Sequence, residues 1–411
     1  MNFNQIVLRP FLISLTFIAV AKGQQKMEFS NIPKNLKINE IQVLGTHNSY
    51  ARPVDPTVLA YGDSLISRMM GAYMSSMPKA KLEEFKEYHP NGMSMAEGLK
   101  YDHPPFPDQL NAGLRNLEID VYYDPTGNRF NDPAAYRYFK EKGLLNLAPY
   151  KKEGLDKPGF KVLHIADFDF RTHYPTLKDA LTALKTWSDE NPNHIPIFIQ
   201  LEAKDSGIPV FPHPTTVLKF DETAFNALDA EILSVLGKDK LITPDEVRGN
   251  YQTLKEAVLA KNWPEVNKSR GKFIFLLLPS AGGGNDAQSP YLKNHPGLKD
   301  RIMFMQSTPN DDYAAFFLLD NAIVRQEDIK KYVNMGYMVR TRSDIETYEA
   351  KVNDYTRAKA AFDSGAQVIS TDFYKKGNGY GTGYVVKLPG GGVARLNPVN
   401  APKVNAPKRN K

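Results

Sequence analysis

The chain has 411 residues, of which 42% are hydrophobic and 11% aromatic, so it can bury a large core and is not disordered as a whole. Its formal charge is +6; residues 387–411 carry six basic and no acidic side chains, so the remainder is neutral (6 − 6 = 0). A neutral body removes the main support for a nucleic-acid partner. Because the chain contains no cysteine, disulfides and thiolate metal sites are excluded, and any metal must be bound by oxygen or imidazole.

The N-terminus has the pattern of an export signal. Arg9 precedes the apolar run Phe11–Val20, and Ala21 and Gly23 are small residues at the two positions that a signal peptidase reads. An apolar run of about ten residues is too short to span a bilayer. We therefore predict a signal peptide over residues 1–23 and a soluble mature chain that is secreted or periplasmic. A buried N-terminal helix is the alternative.

Eight segments have the apolar runs or the alternation that predict β-strands. They are Ile41–Leu44, Asn116–Tyr122, Lys161–Ile165, Ile195–Lys204, Lys272–Leu278, Arg301–Met305, Tyr337–Arg340 and Gln367–Thr371. Alternation along the second segment places Glu118 and Asp120 on one face. The fifth is almost continuously apolar, which is typical of a strand buried on both faces.

Helical periodicity and end signals predict helices between most of these strands. The predicted helices are Leu65–Met77, Lys81–Tyr88, Thr176–Ser188, Thr223–Leu236, Tyr251–Ala260, Gln326–Asn334 and Thr347–Ser364. Strands alternating with helices predict an α/β fold, a (β/α)₈ barrel that forms a single domain over residues 24–386. Residues 387–411 are basic and rich in Gly, Pro and Asn, and we predict that this tail is disordered.

Polar and charged side chains lie at the ends of the predicted strands. They are His47, Asn48, Glu118, Asp120, His164, Glu202, Lys204, Arg340 and Asp372. In a barrel these positions converge on one mouth. Carboxylate and amide oxygens are ligands that Ca²⁺ prefers, imidazoles suit proton transfer, and Lys and Arg suit phosphate. Taken singly, each residue could instead be structural; Asn48 and Ser49 could simply form turn hydrogen bonds.

Four segments carry a family resemblance in this order: GTHNSY from Gly45, NLEIDVYYDP from Asn116, KVLHIADFDFRT from Lys161 and FIQLEAKD from Phe198. They resemble the calcium-dependent phosphatidylinositol-specific phospholipase C family, the secreted microbial branch of the phospholipase C-like phosphodiesterases. The resemblance extends over about residues 40–375. It implies an irregular TIM barrel, which agrees with the strand count.

The resemblance also implies residue roles. His47 and His164 would be the catalytic pair, and the calcium ligands would be Asn48, Glu118, Asp120 and Glu202. Lys204, Arg340 and Tyr374 would contact the phosphate and the inositol ring. The implied reaction is attack of the inositol 2-hydroxyl on phosphorus, which releases diacylglycerol and forms a cyclic phosphate. His164 would be the acid and His47 would stabilise the pentavalent phosphorus, although these roles could be exchanged and Glu118 could act as base.

Several alternatives stay open at this stage. Asp372 could belong to the site or be structural, and Asp167, Asp169 and His173 could supply a further ligand or cap a helix. His103 is interpreted as structural. A glycerophosphodiester phosphodiesterase would share the barrel but typically begins with His-Arg-Gly, where this chain has His47-Asn48-Ser49. An inactive secreted calcium- or inositol-phosphate-binding barrel is the other alternative. The expected partners are an inositol phosphodiester substrate and, transiently, a membrane surface, with the protein a monomer.

Overall fold

The computed structural model describes residues 33, 35–88, 94–278 and 289–402. Its strands, in chain order, are β1 (Ile41–Gly45), β2 (Asn116–Asp124), β3 (Gly159–Val162), β4 (Ile197–Ala203), β5 (Phe273–Leu278), β6 (Met303–Met305), β7 (Phe316–Asn321), β8 (Met338–Arg342), β9 (Val368–Ser370) and β10 (Arg395–Leu396). All six residues of β5 are buried, as its continuous apolar sequence predicts.

Eight of these strands form a nearly closed parallel barrel. Their order is β6-β5-β4-β2-β1-β9-β8-β7, and every neighbouring pair runs parallel. A single parallel bridge between Gln306 and Phe316 joins the two ends, and the backbone N of Ser307 donates to the carbonyl of Phe316 at 3.0 Å. The predicted irregular TIM barrel is confirmed.

The count of eight strands was right, but two assignments were wrong. The predicted third strand, Lys161–Ile165, overlaps β3, which pairs antiparallel with β2 and lies off the barrel path. The missing barrel strand is β7. It was overlooked because a helix begins at Ala322 with no Gly or Pro between strand and helix, and Asn321 caps that helix through its side chain. An apolar pattern predicts a strand but does not reveal which strand it pairs with.

Helices connect the strands. They are α1 (Pro56–Ser75), α2 (Lys79–Tyr88), α3 (Met95–Gly98), α4 (Phe106–Asn111), α5 (Ala134–Glu141), α6 (Leu177–Glu190), α7 (Glu222–Leu236), α8 (Pro244–Arg248), α9 (Leu254–Leu259), α10 (Ala322–Met335), α11 (Tyr348–Val352) and α12 (Thr356–Ser364). Four short 3₁₀ turns lie at Ile38–Glu40, Lys238–Lys240, Val266–Ser269 and Pro296–Leu298.

Two helices show how well the sequence signals worked. In α6 the Thr176 hydroxyl accepts from the backbone N of Asp179, and the apolar residues of the predicted helix form a buried stripe. The single helix predicted over Thr347–Ser364 is wrong, because Asn353 has a left-handed φ of 56° and divides it into α11 and α12. Asp354 then accepts from the backbone N of Thr356 and starts the second helix.

Insertions after β1, β2, β3 and β4 form a second hydrophobic cluster, which we call the cap. The cap consists of α1, α5 and the segments 163–170 and 208–217. Aromatic side chains fill it, and a Cβ added at Gly62 of α1 would lie 2.2 Å from the Phe168 ring. Since the insertions after β1, β2 and β4 follow the carboxyl ends of parallel barrel strands, the cap lies on the same side of the barrel as its mouth.

The predicted disordered tail is wrong for residues 387–402. β10 pairs antiparallel with β1 through Ile41 and Gln42, and Val393 is buried. Residues 403–411 and the predicted signal peptide, residues 1–23, lie outside the described residues. Within the described part of the chain, no helix is long and apolar enough to cross a membrane.

Candidate active site

The interior of the barrel is polar where β2 faces its axis. The Gln200 side-chain amide donates to Asn116 Oδ1 at 2.8 Å and contacts Ser370 Oγ at 3.3 Å. Two residues further along β2, Glu118 accepts from Arg340 of β8 at 2.9 Å. Arg340 is buried and also pairs with Asp320. Alternate residues of β2 therefore form a column of polar side chains inside the barrel, and this column extends toward the mouth.

A cluster of three carboxylates lies at the top of this column. Glu118, Asp120 and Glu202 each offer an oxygen, and these oxygens lie within 4.8 Å of one another. Asp120 and Glu202 are paired in register between β2 and β4, so the sheet itself fixes their proximity. Lys204 lies beside them, with Nζ 3.1 Å from Asp120 Oδ2 and 3.0 Å from Glu202 Oε1.

The electrostatics of this cluster fit a divalent cation. Burial raises the pKa of Asp120 to about 7, with Glu202 adding to the rise and Lys204 opposing it. Burial lowers the pKa of Lys204, but Asp120 and Glu202 outweigh burial and raise it overall. Among the described residues, none donates a hydrogen bond of normal geometry to Oδ1 of the buried Asp120. An unsatisfied carboxylate oxygen among other hard oxygen donors is suited to Ca²⁺.

The first predicted motif folds as a tight exit from β1. Gly45 is required because a Cβ there would lie 2.0 Å from the carbonyl oxygen of Asn116. Ser49 ties the loop to β2: its backbone N donates to the Glu118 carbonyl at 3.0 Å, and its hydroxyl accepts from the Glu118 N at 2.8 Å. Ser49 is therefore a structural residue of this loop.

Asn48 lies in the same loop with a left-handed φ of 44°, a conformation that asparagine tolerates. Its amide nitrogen donates to the Tyr101 hydroxyl at 2.7 Å, and its Oδ1 accepts from the Tyr50 hydroxyl at 3.3 Å. Burial, followed by the charge of Asp120, raises the pKa of Tyr50. Asn48 thus connects to the carboxylate cluster through Tyr50.

His47 lies between two carboxylates. Its Nε2 is 3.7 Å from Glu118 Oε1, and its Nδ1 is 3.5 Å from Asp372 Oδ2. Burial and the nearby Arg342 lower the pKa of His47, while Glu118 and Asp372 oppose that shift. His103 donates from Nε2 to the His47 carbonyl at 3.0 Å.

Asp372, left open by the sequence, lies within the site. It contacts His47, His103 at 3.4 Å and Arg342 at 3.7 Å. Burial favours its neutral form, but these partners hold the pKa of Asp372 well below its usual range. Its backbone N donates to Asp344 Oδ1 at 2.9 Å. Asp372 is therefore a buried carboxylate charge beside the imidazole of His47.

His164 enters the site from outside the barrel. It follows β3 in a turn, and its Nδ1 donates to Asp169 Oδ2 at 2.8 Å. Tyr122 of β2 donates to the His164 carbonyl at 2.9 Å, which holds the turn against the barrel. A positive charge on His164 lowers the pKa of Asp120 and so favours its carboxylate form. The pairing of Asp169 with His164 gives that carboxylate a positioning contact.

Asp167 and His173 have other roles. Asp167, with a φ of 67°, accepts from the backbone N of Ala134 at 2.7 Å and from Thr215, so it holds cap segments together. His173 Nε2 donates to the His103 carbonyl at 2.7 Å. Neither residue belongs to the carboxylate cluster.

A cavity of about 180 Å³ opens between the two histidines. It is lined by His47, Ser94, Met95, Gly98, Leu99, Tyr101, His164, Arg342 and Glu346. The two predicted catalytic histidines therefore face one space, with a guanidinium beside them and apolar side chains on one wall.

The three residues predicted to contact the phosphate and the inositol ring do not line this cavity. Lys204 is in the carboxylate cluster, Arg340 is deeper in the barrel with Glu118, and Tyr374 is buried behind the site against His103. The cavity arginine is Arg342, which sequence reasoning missed. The signal was available, because Arg342 is two residues after Arg340 on the same strand and alternation gives both the same face.

Solved structures share this fold. A calcium-dependent phosphoinositol-specific phospholipase C from the Gram-negative bacterium Pseudomonas sp. has a TM-score of 0.51 at 16% identity, covering 91% of this chain and 100% of that one. The calcium-dependent phosphatidylinositol-specific phospholipase C from Streptomyces antibioticus has a TM-score of 0.45 at 18% identity, covering 82% and 94%. No curated protein sequence matches. The likeness to the Pseudomonas structure shows the fold, an irregular TIM-type barrel.

The sequence then gives the family. Residues 36–398 match the profile of the Ca²⁺-dependent phosphoinositide phospholipase C family, so this chain belongs to that family. As a member of this family, the protein is a Ca²⁺-dependent phosphodiesterase that cleaves phosphatidylinositol-type lipids.

Proposed function

We propose that this protein cleaves phosphatidylinositol at the glycerol–phosphate bond, releasing diacylglycerol and a cyclic inositol phosphate. The observation that supports this most strongly is the convergence of three carboxylates and two histidines at one end of a parallel barrel. A buried, hydrogen-bond-poor Asp120 among oxygen donors supports a calcium site, and a cavity between the histidines supports a reacting group held there.

We assign the calcium ligands as Glu118, Asp120 and Glu202, with Asn48 as the fourth. Bound Ca²⁺ would lower the pKa of the inositol 2-hydroxyl and neutralise negative charge on the phosphate. Lys204 would supply a positive charge beside the ligands, and it is the counter-ion of Asp120 and Glu202 when no other cation is near.

The two histidines divide the proton transfer. The His164 Nδ1 is engaged by Asp169, which leaves Nε2 as the nitrogen that exchanges a proton with substrate, so His164 would protonate the leaving glycerol oxygen. His47 would hydrogen-bond the phosphoryl oxygens as charge develops on them. Asp372 orients the His47 ring from the opposite side. Glu118, 3.7 Å from His47, is placed to help remove the 2-hydroxyl proton.

Arg342 is the phosphate contact that the geometry favours over Arg340. Arg342 lines the cavity, whereas Arg340 is already paired with Glu118 and Asp320. A guanidinium beside a phosphate can donate two parallel hydrogen bonds. Tyr374 would then act indirectly, through its packing on His103.

We further propose that the protein is exported and acts as a monomer on membrane lipid. The support for export is the pattern of Arg9, the run Phe11–Val20 and the small residues Ala21 and Gly23. Mass spectrometry of the protein recovered outside the cytoplasm would show cleavage after Gly23, and an intact Met1 would contradict export by this signal.

Phosphorus NMR tests the reaction directly. Phosphatidylinositol incubated with the protein and Ca²⁺ should give a cyclic inositol phosphate resonance, and addition of a chelator should stop its appearance. An open inositol phosphate as the first product would contradict attack by the 2-hydroxyl. Turnover of glycerophosphodiesters but not of phosphatidylinositol would favour the alternative phosphodiesterase.

A further inference from the structure

The insertion between β2 and β3 contains an exposed apolar tip. Residues 140–152, which we call the leucine loop, begin in the last turn of α5 and belong to the insertion between β2 and β3. Leu145 is 75% exposed and Leu144 is 47% exposed. Side chains of this kind are normally buried, so two adjacent exposed leucines at a loop tip indicate a surface that meets an apolar phase.

Positive charge surrounds this tip. The leucine loop contains Lys140, Lys142, Lys151 and Lys152 and one acidic residue, Glu141, a net charge of +3 (4 − 1) in a chain whose first 386 residues are neutral overall. Within the described residues, Lys140, Lys142 and Lys152 form no salt bridge, and the last two lie over the rings of Tyr138 and Tyr150. Their charges are therefore available to an external anion.

The leucine loop is anchored just after its two exposed leucines. The backbone N of Ala148 donates to Asp55 at 2.6 Å, and Asp55 also caps the start of α1. The Tyr150 hydroxyl donates to the Asn131 carbonyl at 2.7 Å. A groove of about 490 Å³ lies behind the tip, between these anchors and Tyr136. These contacts tie the end of the leucine loop to α1 and to the segment before α5.

The leucine loop is also connected to the catalytic side of the molecule. Leu147 and Tyr150 pack on the cap, which contains Ile165 and Phe168 of the segment that begins beside His164. The insertion starts at the carboxyl end of β2, the strand that carries Glu118 and Asp120. Leucine tip, lysines and mouth therefore lie on the same side of the barrel.

We propose that the leucine loop is the membrane-docking surface, with Leu144 and Leu145 inserted among acyl chains and the lysines against anionic phospholipid head groups. This inference rests on the proposed function, since a lipase must bring its mouth to a bilayer. Apolar insertion combined with basic side chains is the usual arrangement of interfacial binding.

Vesicle binding tests the proposal in the presence of chelator, so that neither catalysis nor calcium bridging contributes. The probe is a vesicle of phosphatidylcholine with phosphatidylglycerol, compared with phosphatidylcholine alone. The double variant Leu144→Asn/Leu145→Asn should reduce partition to the mixed vesicles by about tenfold or more. The triple variant Lys140→Gln/Lys142→Gln/Lys152→Gln should reduce it by a similar factor and remove the difference between the two vesicles.

Leu259→Asn is the matched control. Leu259 is 41% exposed at the end of α9, beside Val258, whose carbonyl lies against Gly336 at the start of β8 on the opposite end of the barrel. This variant should bind vesicles like the parent. Equal binding by the parent and the leucine double variant would overturn the proposal, as would an equal loss in Leu259→Asn.

Hydrolysis of a soluble inositol phosphodiester separates this proposal from the proposed function. The leucine variant should keep parental turnover on the soluble substrate and lose turnover on vesicles. If the parent turns over neither substrate while its vesicle binding still depends on the leucines, the docking surface stands and the proposed activity falls. Parental vesicle turnover by the leucine variant would instead count against the docking surface.

Discussion

His47 and His164 are each paired with one carboxylate on the Nδ1 side, Asp372 at 3.5 Å and Asp169 at 2.8 Å. Such a pairing fixes the orientation of the ring. Each ring therefore presents Nε2 as its free functional atom, although His47 Nε2 also lies 3.7 Å from Glu118. Two oriented rings about one cavity are the residue-scale basis of the proposed chemistry.

Removal of either imidazole should stop catalysis. We expect His47→Ala and His164→Ala each to lower kcat on phosphatidylinositol by about a hundredfold or more, because a positioned acid or charge stabiliser is lost. Calcium affinity, measured by isothermal titration, should change little since neither ring is an assigned ligand. Retained turnover in either variant would remove that histidine from the mechanism.

Glu202→Gln should raise the calcium requirement. The amide keeps the shape of the side chain but lacks the charge that Ca²⁺ requires, so the calcium concentration for half-maximal activity should rise about tenfold or more. Glu327→Gln is the matched control, since Glu327 is an exposed residue of α10 that pairs, within the described part of the chain, only with Lys330. An unchanged requirement in Glu202→Gln would remove Glu202 from the ligand set.

Sequence reasoning found the carboxylate cluster because alternation alone puts Glu118 and Asp120 on one face and the next parallel strand brings Glu202 alongside. It assigned Arg340, at the end of the predicted strand, and did not consider Arg342, because alternation gives the face of a residue but not its depth in the barrel. Depth depends on strand stagger, which arises from pairing across the whole sheet. The contact of Asp372 with His47 joins the first and last barrel strands and has no local signature.

At the scale of elements, the barrel depends on close approach at the end of β1. Gly45 is the only residue of β1 paired with β2, and it lies directly against Asn116. By contrast, Gly71 in the exposed part of α1 has nothing within 4 Å of an added Cβ. The same residue type is therefore required at one position and dispensable at the other.

This contrast gives a paired prediction. Gly45→Ala should lower the free energy of unfolding by about 3 kcal/mol or more, because the methyl group would collide with a backbone carbonyl. Gly71→Ala should raise it by about 0.5–1 kcal/mol, since alanine is the better helix former. Urea unfolding followed by circular dichroism measures both, and equal stabilities for the two variants would contradict the packing at β1.

Helices and strands could be predicted where the signal lies in the local sequence, but strand pairing depends on contacts between distant segments and could not. The stripe of α6 and the buried run of β5 follow from periodicity. The antiparallel pairing of β3 and the order of strands around β7 depend on contacts distant in sequence. β10 was not predicted because a Gly- and Pro-rich composition resembles disorder, although its two residues pair with Ile41 and Gln42 of β1.

At the scale of the whole molecule, Asp120 links pH, calcium and stability. Its pKa is raised to about 7 in the fold from an ordinary value of 3.8, so the calcium-free protein binds this proton more tightly when folded. That contribution to stability is fully present below about pH 4 and is lost as pH rises through about 7. Calcium binding needs the ionised carboxylate and therefore weakens as pH falls below about 7, by up to tenfold per unit.

We expect the rise in Tm on calcium addition to be larger at pH 8 than at pH 6, for the reason that protons compete with the cation at Asp120. Asp120→Asn should abolish this pH dependence and lower the response to calcium at both values. Differential scanning calorimetry measures Tm with and without calcium at each pH. Burial and the charge of Asp372 also raise the pKa of Asp344 to about 7, but Asp344 is present in both proteins and so does not account for a difference between them. An identical pH profile in parent and variant would exclude Asp120 as the proton competitor.

The two imidazoles belong to parts of the molecule that are stabilised by different interactions. His47 continues a hydrogen-bonded strand, whereas His164 sits on a turn held by the aromatic packing of the cap. On warming, the cap should therefore loosen and move His164 away from His47 before the barrel unfolds. We expect activity on a soluble substrate to be lost at a lower temperature than far-ultraviolet ellipticity. Coincident midpoints would mean that cap and barrel come apart as one cooperative unit.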